Sequence, residues 1–149
     1  MRRRDRCDLD LDPGACGAVR LPGAALRQRA LVGAGIRAAF GVATLVAPGP
    51  ASRLFGFPKA HNNGSARFMA RLFGVRELAM AALVVTALDD TERLGHACAI
   101  SAAVDVGDAV VAAGTWRRGE GLRMASALTM LAGAAGAATW LDLLRRLDD

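Results

Sequence analysis

The sequence predicts an all-α protein: a four-helix transmembrane bundle of up-down-up-down topology, preceded by a disordered basic N-terminal tail. Three observations carry this. Four apolar segments of 17–23 residues follow one another between residues 31 and 144, each longer than the ~11–12 residues of an average soluble helix. The turns between the later segments are short and polar. Ala and Gly together supply 49 of the 149 residues, a composition that lets helix backbones approach closely in lipid.

Residues 1–29 form the expected tail. Arg2, Arg3, Arg4, Arg6, Arg20, Arg27 and Arg29 lie in it with several Asp. Beyond residue 30 the chain is nearly balanced, with 12 basic and 10 acidic residues, so most of the +5 formal charge belongs to this segment. Such a tail is either a solvated terminus or an anchor for anionic head groups, and the two are compatible. It does not read as a signal peptide, because Cys7–Cys16 holds Asp residues and a Pro instead of an apolar run.

Residues 30–147 form the expected membrane domain. The first span covers about 31–47; Arg37 interrupts it, and Pro48-Gly49-Pro50 ends it because Pro cannot continue a helix. The peptide Ser52–Pro58 follows as a loop or an interfacial stretch. The second span covers about 68–88, with Arg71, Arg76 and Glu77 in its first half and no charge from Leu78 to Leu88. A polar turn at Asp89–Arg93 leads to the third, about 94–116, which contains Asp105 and Asp108. The turn Trp116–Gly121 leads to the fourth, about 122–144. Its uncharged stretch from Met124 to Leu141 is 18 residues long, close to the ~20 needed to cross a ~30 Å hydrocarbon core. Trp116 and Trp140 stand near span ends, where aromatic anchors are favoured. Small-residue spacings suited to helix contact occur at Ala70/Gly74, Ala99/Ala103/Gly107, Ala132/Gly136 and Gly133/Ala137.

A soluble four-helix bundle is the competing fold. It requires a polar stripe along every helix, which the fourth segment and the second half of the second lack. Other classes are excluded by composition. The chain is 53% apolar, with a mean hydropathy of +0.28, too apolar for an intrinsically disordered chain. Three Cys cannot pair evenly into a disulfide scaffold, and Cys7 and Cys16 have no zinc-ligand spacing; Cys98 reads as a small core residue. With no Tyr and seven Phe plus Trp, the chain has few rings to stack on bases, so no nucleic-acid partner is expected. The lipid bilayer is the expected partner, with a second copy or another membrane protein as a further one.

The candidate site is the set of ionisable residues inside the spans: Arg37, Arg71, Arg76, Glu77, Asp105 and Asp108. A central Asp or Arg costs roughly 2.5–3.5 kcal/mol on an insertion scale, so such groups are retained only if they pair. Antiparallel spans put Arg37, Arg76, Glu77, Asp105 and Asp108 at one depth, with Arg71 nearer the surface. Two meanings follow: a charge-neutral network that fixes helix register, or a proton or ion path. Asp105-x-x-Asp108 also offers oxygen ligands for a divalent cation, but with three Arg at hand ion pairing is the more economical account. No metal and no cofactor is expected. His61 and His96 stand outside any catalytic motif, so catalysis has little support and no catalytic residue is assigned. The expected function is a non-catalytic membrane component; the alternatives are a small proton- or ion-coupled transporter and a membrane enzyme acting on lipid-like substrates.

The stretch Arg71-Leu72-Phe73-Gly74-Val75-Arg76-Glu77, followed by Asp105-x-x-Asp108, resembles the pattern of small bacterial four-helix membrane proteins of unknown function. In general shape the chain is similar to DoxX-like membrane proteins over about residues 30–145. The resemblance implies four spans and a multi-pass location in the bacterial inner membrane. It implies no activity.

Overall fold

The structure, a computed structural model, describes residues 21–148. The Arg-rich residues 1–20, with Cys7 and Cys16, lie outside the described residues. The described chain is all-α: α1 (Ala24–Val46), α2 (Pro48–Leu54), α3 (Gly64–Thr86), α4 (Thr91–Arg118) and α5 (Arg123–Asp148), with a short 3-10 turn at Lys59–His61. There is no strand among the described residues.

Local chemistry sets the boundaries. Ala47 is the single residue that separates α1 from α2, and Pro48 then occupies the first position of α2, where its missing N–H costs nothing and its fixed φ suits a helix. The Pro-Gly-Pro cluster therefore ends one helix and starts another, which runs into the stretch Ser52–Pro58 expected as a loop or an interfacial peptide. Asn63 caps α3 by accepting the Ala66 N–H at 2.9 Å, and Asp90 caps α4 by accepting the Arg93 N–H at 3.1 Å. Gly119 closes α4 with φ 67°, a left-handed turn that favours Gly. α1 begins at Ala24, so residues 24–29, expected in the tail, are helical.

Among the described residues, three helices are long and apolar enough to cross a membrane: α1, α4 and α5. The expectation was four. α3 is 23 residues long, but Arg67, Arg71, Arg76 and Glu77 break up its apolar run.

The helices pack chiefly as two antiparallel pairs, α1 with α3 and α4 with α5. Each pair meets where glycine removes a side chain. A Cβ on Gly41 would lie 2.8 Å from the Gly74 carbonyl oxygen, and a Cβ on Gly133 would lie 2.6 Å from that of Asp105. Close backbone approach of this kind is the usual basis of helix association in lipid. The Ala99/Ala103/Gly107 spacing on α4 has no such role, because all three residues face outward.

The interior is divided in two. On the side of α1's N-terminus, Ala30, Ala34, Val84, Leu88, Leu94, Cys98, Leu143 and their neighbours form one packed core. On the other side lies a cavity, bordered at its end by α2; just beyond α2, Gly56 lies against Met124 of α5. Trp140 was expected near a membrane face. It is instead 3% exposed and packs in the core, because α5 continues eight residues beyond it and the smooth face of Gly33 on α1 admits its ring.

Candidate functional site

A layer of ionised side chains separates the packed half from the hollow half. Arg37 reaches from α1 to two other helices: Nη1 donates to Glu77 Oε2 on α3 at 2.8 Å, and Nη2 donates to Asp105 Oδ1 on α4 at 2.6 Å. Nη2 also approaches the Ser101 carbonyl at 3.4 Å. Arg37, Glu77 and Asp105 are 7%, 4% and 8% exposed. Arg76 of α3 grips Asp108 of α4 with both terminal nitrogens, at 2.9 and 2.5 Å, and donates to Glu77 Oε1 at 2.8 Å. Glu77 thus receives both arginines, one on each oxygen. Planar guanidinium forks suit this bridging, since each presents several donors in fixed directions.

Packing holds the layer in place. Arg37 lies 5.6 Å from the Trp140 ring centre and Arg76 lies 4.6 Å from that of Phe73, both within cation–π range. Gly136 of α5 lies against the Asp105 carboxylate, so the acid takes the space a side chain would fill. Within the layer, Arg37 Nε, Arg76 Nε and Ser101 Oγ are buried without a hydrogen-bond partner.

Five of the six sequence-derived site residues are therefore neighbours: Arg37, Arg76, Glu77, Asp105 and Asp108. Arg71 is not among them. It is exposed, and its Nε makes a long 3.4 Å approach to the Leu45 carbonyl. Its absence alters the charge count. Six residues would balance, whereas the layer holds two arginines against three carboxylates. Among the described residues no group of three or more His, Cys, Asp or Glu is placed to hold a metal ion.

The layer forms one wall of the cavity, about 1070 Å³ in volume, near the upper end of the ~300–1,000 Å³ of small-molecule sites. Its remaining walls are mainly apolar, with Ile36, Phe40, Phe55, Phe73 and Val111 among them, and hydroxyls from Thr44, Thr115, Ser126 and Thr129. His61 and Asn62 line it at the end covered by α2. Phe40 meets Phe55 and Phe73 edge-on, at 4.4 and 5.6 Å between ring centres. Sequence reasoning missed this aromatic wall. The register that sets Arg37 opposite Glu77 also sets Phe40 beside Phe73, and that was the available signal. Nothing local marked Phe55, which α2 brings in.

No curated protein and no solved structure matches the chain, and the DoxX-like resemblance gains no support. The family pattern described as "Domain of unknown function (DUF4267)" matches residues 34–141. That stretch holds all of the ionic layer and most of the cavity wall. The chain belongs to the DUF4267 family.

Proposed function

We propose that the chain is a non-catalytic integral membrane protein with four spans, α1, α3, α4 and α5, located as a multi-pass protein in the bacterial inner membrane. The single observation that carries the membrane reading is an inverted surface. Large aliphatic and aromatic side chains such as Leu31, Val42, Phe68, Leu72, Val75, Val110 and Leu131 are exposed. Arg37, Glu77 and Asp105 are buried. Water does not tolerate so extensive an apolar surface on a lone soluble domain; lipid does. α3 fits as the fourth span despite its charges, because Arg76 and Glu77 face inward to ion-pair partners while Phe68, Leu72, Val75 and Val85 face outward.

In this reading the ionic layer is a clamp. Arg37 and Arg76 tie the α1/α3 pair to α4, next to the apolar core that also joins the two pairs. The test is sidedness. In a chain whose native Cys are replaced by Ala, Asn62→Cys and Asp89→Cys flank α3. An impermeant maleimide is expected to reach them from opposite sides of sealed vesicles. Labelling of both from one side would show that α3 does not cross.

A small proton- or ion-coupled transporter is the second reading, favoured by a cavity that ends on carboxylates. Asp105→Asn and Asp108→Asn separate the two. A clamp predicts less folded protein in the membrane, and transport predicts normal abundance with lost flux.

A further inference from the structure

We propose that the hollow half of the bundle binds an amphiphile with one cationic amine and one apolar tail, the amine seated at the ionic layer. The inference rests on the membrane reading above and adds a ligand to it. Its first ground is charge. With Arg71 outside, the layer carries one more carboxylate than it has guanidinium groups. Arg76 takes both oxygens of Asp108, and Glu77 gives one oxygen to each arginine. Asp105 is the acid left partly free: among the described residues only Arg37 donates to it, and only to Oδ1. An uncompensated carboxylate next to apolar walls draws a counter-charge, and Asp105 lines the cavity.

The second ground is shape. The cavity runs from the level of Arg37 toward α2, eleven residues further along the chain at Pro48. At the rise of a helix that is roughly 16 Å, a length for an extended alkyl tail. The walls along this course are Phe40, Phe55, Phe73 and Val111, suited to a hydrocarbon body, and aromatic faces near the layer also favour an ammonium group. An anionic amphiphile would add to the charge excess, and a neutral one would leave it uncompensated.

The chain supplies its own reporter. It has two tryptophans, and Trp140 borders the cavity, so Trp116→Phe leaves Trp140 as the single tryptophan. The full-length W116F chain is reconstituted in phosphatidylcholine vesicles, and Trp140 fluorescence is titrated with dodecylammonium and with dodecanol, each brominated in the tail as a quencher. Saturable quenching by the amine is expected at a concentration at least tenfold below that for the alcohol. Asp105→Asn is expected to remove the difference. Thr129→Phe, which fills the cavity from α5, is expected to abolish saturable quenching by both. Equal potency of amine and alcohol on the W116F chain overturns the charge assignment, whatever the folding of the other variants. Saturable quenching that survives Thr129→Phe overturns the location, and none at all overturns the site. The amine is offered from water and from preloaded vesicles. Quenching in both supports an aminolipid of the bilayer as the ligand, and quenching from water alone supports a soluble amphiphilic amine. A chain that discriminates amine from alcohol but labels on one side of α3 refutes only the four-span reading; the reverse result refutes only this one.

Discussion

Arg37 is held by carboxylates from two different helices, and its own helix supplies neither. Removing one partner of a buried pair costs more than the pair was worth, because the remaining charge stays buried without compensation. Arg37→Leu is therefore expected to destabilise the fold by about 3–5 kcal/mol, read from loss of helicity during denaturant titration in detergent. Arg37→Lys keeps the charge but loses the fork that reaches two acids at once, and its loss is expected to be intermediate. Arg71→Leu serves as the contrast: an exposed residue with one long hydrogen bond, expected to shift stability by less than about 0.5 kcal/mol. Equal effects at Arg37 and Arg71 would show that the layer contributes nothing to stability. Residue types and their depth along antiparallel spans pointed to the five members of the layer and set Arg71 nearer the surface. They did not give the stagger of α1 and α3, at which Gly41 meets Gly74.

The helices show why small-residue spacing is an ambiguous signal. A Cβ on Gly74 would meet Thr44 Oγ1 at 2.5 Å and the Gly41 carbonyl at 2.7 Å, whereas one on Gly107 would meet nothing within 4 Å. The two positions share a similar sequence context and differ only in the face they occupy. Gly74→Leu is expected to force α1 and α3 apart and abolish a cooperative thermal transition. Gly107→Leu, facing outward on α4, is expected to leave the transition in place or raise it slightly, since Leu is the better helix former. A Gly74 variant that melts like the parent chain would remove the close approach as the basis of the α1/α3 pair. The same ambiguity applied to Trp140. Proximity to the end of an apolar run suggested an anchor, but the helix runs on, and the ring is drawn inward by the gap at Gly33.

At the scale of the whole molecule, the packed and hollow halves have different consequences. The core around Leu94, Cys98 and Leu143 closes one end, while the other depends on the ionic layer and the cover formed by α2. Gly56 has φ 77°, and a Cβ there would fall 2.5 Å from Met124 Cγ, so both its backbone and its space exclude a side chain. Gly56→Val is expected to push the segment after α2 away from Met124 of α5 and widen the cavity. The change is measurable as faster labelling of a Cys introduced at Thr129, with stability of the packed half preserved. Unchanged labelling would show that α2 does not close the site. Membrane retention through an alkaline carbonate wash, with release by detergent alone, is expected for the whole chain; release by carbonate would return it to the soluble class.

By itself the sequence determined the all-α class, the approximate position of the apolar segments and the residue types of the charged layer. These follow from local facts: hydropathy over a window, Pro and Gly punctuation, and the cost of leaving a charge unpaired in an apolar setting. The tertiary structure decided what depends on the relative stagger and rotation of helices. Turning each helix placed Ala99 outside and Gly133 inside, and the stagger set which oxygen of each carboxylate meets which arginine. The same placement left α1/α3 and α4/α5 apart on one side of that layer. The cavity there is a space between segments distant in the chain, and no local pattern of residues encodes it.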